Sequence, residues 1–432
     1  MTRFIVVGGG VAGLVAARRL ALGGASVTVL EAGDRLGGTV AHHAVGGFVL
    51  DSGAESFAVR GGTVAALAKD LGLGDEIVEP APAGAWLQRA SGALPLPATS
   101  ILGIPGVPLA ADVIAVVGFG TAFRAFLEAL LPGPVGDSAL TLGELVRRRM
   151  GRGMLEKLVA PVAQGVHSAH PDDLAVDRVA PGLRAAMRRT GSLARAVASL
   201  RASAPAGSAV AGVRGGVHRI VDELVADLER LRVEVRLGAR VASVAPGSVT
   251  FGGSSLDGTV VVAAPSVPGA VESPADAAAS ERVTLATLVV DVAALDSAPR
   301  GSGVLVASGA PGVHARALTH ATAKWGWLAE RAGAGRHVLR LSYDGSAVPD
   351  DLAEVARADA STLLGVTIEP AAVVDFARVD WVRPAPSGTA VDGIALIGEA
   401  ASGTGLASVI AHATAAAEGL LAAASAANAA QP

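Results

Sequence analysis

The chain has 432 residues, a formal net charge of −4, 51% hydrophobic and 17% charged residues, and no cysteine. That length supplies two or three domains and a large core. The charge balance lacks the basic stripe that nucleic acid requires, so no nucleic-acid partner is expected, and the missing cysteines exclude disulfides, thiolate metal sites and a cysteinyl cofactor linkage. The mean hydropathy of +0.50 reflects alanine and valine; the longest charge-free stretch, Ala90–Ala111, holds Pro95, Pro97, Pro105 and Pro108. Those prolines break the helix of about 20 residues that a bilayer requires. No transmembrane span is expected, and only peripheral membrane contact stays open. With a first strand beginning at residue 3 and no signal peptide before it, a cytoplasmic location is expected.

In chain order, the first forty residues read as strand, glycine turn, helix, strand and acid. The strand is Phe4–Val7; Gly8 permits a tight turn, Gly10 lets the backbone approach a diphosphate, and Gly13 lets the helix pack close to the sheet. Val11 and Ala12 open that helix, whose free N–H groups suit phosphate oxygens. Val27–Leu30 is the next strand, and Glu31 at its end, followed by Ala32, stands where a carboxylate accepts from a ribose diol. A dinucleotide site follows from this spacing.

From about Pro97 to Leu200 the chain reads as helical, with Leu109–Leu131, Thr141–Met150, Leu155–Val166 and Leu183–Leu200 broken by Pro and Gly. Ala211–Val217 then leads into a helix, His218–Arg232, and strand-like segments Val233–Leu237, Val241–Val244, Ser248–Phe251 and Thr259–Ala264. A strand-rich insert from about Ser280 to Asp380 includes Val283–Val292, Val304–Val306, His337–Tyr343 and the helix Asp350–Leu364. Ile394–Ile397, Gly398-Glu399 and Gly403-Thr404-Gly405 precede a helix from about Leu406 to Ala423. This second strand–glycine–helix arrangement returns to the nucleotide fold. The expected class is α/β, a discontinuous Rossmann-like domain (1–75, 205–270 and 385–432) with a mixed strand-rich substrate domain (76–96 and 271–384) and a helical insert (97–204).

The run Arg35-Leu36-Gly37-Gly38-Thr39 resembles the extension in flavoproteins that include amine oxidases, phytoene desaturases and porphyrinogen oxidases, where it follows the FAD pyrophosphate. The resemblance implies FAD, held by these residues, by Val241, and by the late segment through Gly398, Glu399, Gly405 and Leu406. A narrower resemblance rests on TLGELVRRRMG at 141–151, LVAPVAQGVHSAHPDDL at 158–174, GIPGVP at 103–108, RGGVHRIVDEL at 214–224, VVVAAP at 260–265 and AKWGWL at 323–328. Together, in order, they resemble the protoporphyrinogen/coproporphyrinogen oxidases of heme synthesis. That family implies non-covalent FAD, O2 as acceptor, H2O2 as product, and a transient heme-pathway enzyme as partner. The absence of cysteine and of a span resembles the coproporphyrinogen-using branch of Gram-positive bacteria. The substrate's propionates call for basic groups. Arg60 and Arg89 occupy family-like substrate-side positions, and Lys324 a flavin-side positioning one.

Departures from the family are local. Trp381-Val-Arg-Pro-Ala-Pro386 replaces a longer aromatic and histidine pattern, His412 stands where glycine is usual, and Glu399 where aspartate is usual. Three other readings remain open: an amine oxidase, disfavoured by a single tyrosine, Tyr343, where a cation–π cage is needed; a polyene desaturase; and a non-catalytic flavin-binding heme-pathway protein. His42-His43 and the His167/His170 pair have no further ligands at metal spacing along the chain, so no metal is expected.

Overall fold

Four of the five residues of the Arg3–Val7 strand are buried, because it lies in the middle of a parallel sheet covered on both faces. The order is Glu234–Arg236, Ser26–Leu30, Arg3–Val7, Thr259–Val262 and Ile394–Leu396. Phe4 pairs with Val27 on one side and Thr259 on the other, and Val260 in turn with Ile394. Three segments distant in sequence thus complete one doubly wound sheet. The structure, a computed structural model, describes residues 2–59, 61–167, 169–202, 210–265, 267–270, 281–307, 309–383, 390–403 and 405–429.

It divides into two units. The first comprises Met1–Pro80, Ser208–Arg282 and Trp381–Pro432. Its Val11–Leu22 helix buries Leu14, Ala17 and Leu20, and the Arg219–Arg230 helix buries Ile220, Val221, Leu224 and Leu228 at helical spacing. Arg18 and Asp227 join these helices in an ion pair of 2.6 Å. The helix Leu406–Ala429 extends beyond its predicted end and sets Val409, Ile410, Ala413 and Ala417 into the same core. It is long and apolar enough, by length and composition, to cross a bilayer. Its one carboxylate, Glu418, pairs with Arg19 across the first helix.

The second unit comprises Ala81–Gly207 and Val283–Asp380. Its seven-stranded sheet runs Val373–Arg383, Glu281–Asp291, Arg336–Asp344, Ala317–His320, Gly303–Val306, Trp86–Arg89 and Gly92–Pro95. The helix Leu352–Leu364 buries Leu352, Ala356, Ala360 and Leu363 in the core it shares with this sheet. The helical segment has a separate core around Leu142, Leu145, Met150, Leu158 and Leu183. Three of its predicted helices depart from a single α-helix, one of them Leu183–Leu200, which is interrupted at Gly191 between Leu183–Thr190 and Leu193–Ala202. Leu109–Leu131 bends by 119° between Ala111–Val117 and Phe119–Leu130, at Gly118 with φ +83°. Leu155–Val166 begins instead with a π-helical turn, Leu155–Val159, before Ala160–His167. Past the bend, Phe119, Phe123 and Phe126 stack on an exposed face.

A buried histidine pair sits in this unit. His320 Nε2 and His337 Nδ1 are 3.0 Å apart, and burial, with the neighbouring His337, pushes His320 down to about 4. Between that value and the ordinary 6.5, the unfolded chain holds a proton at this site that the folded chain refuses. The stability it contributes is therefore present above pH 6.5 and lost as pH falls towards 4. Urea unfolding of the wild type should lose about 1–2 kcal/mol between pH 7 and pH 5 beyond what His320→Gln loses. Parallel pH dependence in the two proteins would refute this assignment.

Candidate functional site

The glycine turn is built by close backbone approach. Gly8 leaves the first strand with φ +106°, and its N–H donates to Leu30 O at 2.8 Å. A Cβ on Gly13 would lie 1.9 Å from Gly8 O and 3.3 Å from the Ala263 Cβ. Glycine at 13 is what lets the helix start directly on the strand. At Gly10, by contrast, a Cβ would meet nothing within 4 Å, and its φ of −73° is open to any residue. The space beside Gly10 is unfilled by protein. No side chain caps the Val11–Leu22 helix, so the N–H groups of Val11, Ala12 and Gly13 open its positive end. A cradle a Cβ would intrude upon, facing an uncapped helix, fits a dinucleotide diphosphate.

The surrounding residues converge on this turn. Glu31 accepts from Gly9 N and Gly33 N, both at 2.7 Å, which fixes the carboxylate beside the turn. Gly9 was not among the expected site residues, yet a Cβ there would sit 2.4 Å from Leu36 and 3.1 Å from Glu31 Oε2. Its signal was in the sequence, as the middle of three consecutive glycines. Gly37 N donates to Gly9 O at 2.8 Å, Arg35 Nη1 reaches Gly38 O at 3.3 Å, and Gly38 comes within 3.3 Å of Gly10 when given a Cβ. The RLGGT extension thus lies on the glycine turn, with Thr39 exposed beside it.

The later segments also arrive. Glu31 N donates to Arg236 O and Glu31 O accepts from Ala239 N, bringing the strand that starts at Val241 next to Glu31 and exposed Ala32. Gly398, at φ +93°, would place a Cβ 3.5 Å from that of Ala12. Glu399 follows in the first turn of Glu399–Ser402, and Gly405 and Leu406 open the final helix.

The substrate-side candidates belong to the second unit, apart from Arg60, which lies outside the described residues. Arg89 ends the Trp86–Arg89 strand; its Nη1 donates to Val116 O at 2.6 Å, while its buried Nε finds no partner among the described residues. Lys324 is half-buried at the end of Ala321–Lys324 with Nζ 5.0 Å from the Trp325 ring centroid. The family-like runs at 141–151 and 158–174 turn out to support each other: Leu142 N donates to Leu174 O at 2.8 Å, and Arg147 grips Asp172 through two hydrogen bonds. One cluster is visible only in space. His42 does meet further ligand types, His218 and Asp222, because they come from a segment about 170 residues away that spacing along the chain does not reveal.

The model of the family "Flavin containing amine oxidoreductase" matches residues 11–392. The chain is 30% identical over 413 residues to a coproporphyrinogen III oxidase of Mycobacterium leprae, covering 89% of this chain and 87% of that one. A coproporphyrinogen III oxidase of Mycobacterium tuberculosis is 32% identical over 407 residues, with 89% and 86% covered. Among solved structures, a protoporphyrinogen oxidase candidate from Exiguobacterium sp. 255-15 superposes with a TM-score of 0.80 at 24% identity, over 98% of this chain and 99% of that one, and so shares the fold. The chain belongs to the flavin-containing amine oxidoreductase family and is an FAD-dependent oxidoreductase.

Proposed function

We propose that this protein oxidises a porphyrinogen, coproporphyrinogen III to coproporphyrin III in preference to protoporphyrinogen IX to protoporphyrin IX, with O2 as acceptor and H2O2 released, in heme biosynthesis. The observation that carries the reading is the match to coproporphyrinogen III oxidases over most of both chains. When bound, FAD supplies the redox chemistry, acceptance of hydride from a carbon bridge of the macrocycle. The chain's own part is to hold and orient. Gly8, Gly10 and Gly13, with Val11 and Ala12, are proposed to hold the diphosphate. Glu31 takes the ribose diol, and Arg35, Gly37, Gly38 and Thr39 flank the phosphates. Val241, Ala32 and the Gly398, Glu399, Gly405 and Leu406 segment complete the FAD-binding unit.

Arg60 and Arg89 are proposed to meet substrate carboxylates and Lys324 to position the macrocycle. Support comes from the buried Arg89 Nε, an N–H with no hydrogen-bond partner among the described residues and so one still to be satisfied. The exposed face of Phe119, Phe123 and Phe126 supports peripheral membrane contact.

The test is direct. Purified FAD-loaded protein should generate O2-dependent porphyrin fluorescence and peroxide, faster from coproporphyrinogen than from protoporphyrinogen. Silence with both porphyrinogens sinks the reading, and flavin bleaching by an amine or a polyene instead would redirect it.

A further inference from the structure

Within the first unit, the hairpin formed by His42–Val45 and Phe48–Asp51 meets the start of the Arg219–Arg230 helix. His42, His218 and Asp222 each offer one ligand atom there, all within 4.8 Å of one another. We propose that these three side chains bind a borderline divalent cation of the Zn2+ class, with Asp51 as a positioning residue.

His218 is the fixed point. Its ring is buried, and Nδ1 lies 2.9 Å from Asp51 Oδ1. An ionised carboxylate only accepts, so Nδ1 carries the hydrogen and Nε2 keeps the lone pair. A histidine backed in this way by a carboxylate is held in orientation, as metal-bound imidazoles are. Asp51 is itself held, accepting from Val217 N and His218 N at 2.9 Å each. It also stands directly across the hairpin from His42. Gly216, at φ +118°, makes room for the ring: a Cβ there would lie 2.5 Å from His218 Nδ1 and Cε1.

The other two ligands are exposed, so their side chains have room to turn towards an ion. His42 and Asp222 are exposed, the His42 ring centroid is 4.8 Å from that of His218, and Asp222 lies four residues after His218, on the same helical face. Donor atoms around a tetrahedral zinc at about 2.0–2.2 Å are roughly 3.3 Å apart. Rotation of the two exposed side chains supplies the remaining movement of up to about 1.5 Å. Two imidazoles and one carboxylate select zinc, cobalt or nickel over magnesium and calcium, which take oxygen ligands. Three protein ligands leave a fourth position for water.

Titrate chelator-treated, tag-free, FAD-loaded protein with Zn2+ by calorimetry and with Co2+ by visible absorption. The expected result is one saturable ion per chain, with tetrahedral Co2+ bands. His42→Ala and Asp222→Asn should each weaken binding by about tenfold or more, while His314→Ala, an exposed histidine elsewhere, leaves it unchanged. Unaltered melting of the metal-free variants separates ligand loss from misfolding. Absence of saturable binding, or equal affinity in His42→Ala, overturns the proposal whatever the enzyme oxidises.

Discussion

Gly10→Ala is expected to purify as a folded but colourless protein, while Gly13→Ala fails earlier, in the fold itself. The added methyl at 10 meets nothing within 4 Å and the backbone angle suits alanine. Replacing glycine there removes unfolded-state freedom and leaves the stability of the apoprotein equal or higher by about 0.4–1 kcal/mol. That methyl occupies the approach a diphosphate needs, so FAD affinity should fall on the order of a hundredfold, about 2.7 kcal/mol. At 13 the methyl would lie 1.9 Å from the carbonyl oxygen of Gly8, in the turn that follows the first strand, and backbone cannot move aside cheaply. The helix must lift from the sheet, costing about 1–3 kcal/mol or more. The ratio of flavin to protein absorbance, read beside thermal melts of the apoproteins, separates the two. An apoprotein of Gly10→Ala that melts well below the wild type, or one that retains yellow FAD at stoichiometry, would overturn the assignment of the open space to the cofactor.

The same contrast explains what was readable from the amino acids. Gly8, Gly10, Gly13 and Glu31 were legible because a turn, a helix start and a strand end are local, and their spacing is fixed by the geometry of a few residues. The α/β class and FAD followed, the latter through the RLGGT run, and both agree with the family match. What escaped depends on partners far along the chain. Asp51 caps His218 at a separation of 167 residues, and no local pattern marks a carboxylate for that work. Gly9 stood in plain view between two glycines of the motif, but the crowding that favours glycine there comes from the side chains of Leu36 and Glu31, which lie further along the chain. That Pro and Gly break the helical insert was legible, but the position of the bend at Gly118 was not: apolar residues on both sides keep a helical period, and the backbone angle of +83° marks where the chain turns.

Arg149→Met is expected to destabilise the second unit by about 3–5 kcal/mol, measured as a shift in urea unfolding. Arg149 is fully buried and lies seven residues after Leu142 and four after Leu145, on the apolar face of its helix. Its guanidinium donates to Val135 O and Gly133 O at 2.7 Å and to Gly191 O at 3.2 Å, with Glu128 more distant at 3.4 Å. Glu128 in turn accepts from Ser192 Oγ, Leu193 N and Ala194 N, capping the Leu193–Ala202 helix from outside. Buried ion pairs elsewhere can be replaced by apolar residues at no net cost. Here that escape is closed, because each charge also satisfies backbone groups that an apolar pair would strand. The double variant Arg149→Met/Glu128→Leu should therefore remain less stable than the wild type by about 3 kcal/mol or more. Glu128→Gln, which keeps an acceptor and leaves Arg149 its three carbonyls, should cost less than Arg149→Met. A double variant as stable as the wild type would show that the two charges serve each other and not the backbone around them.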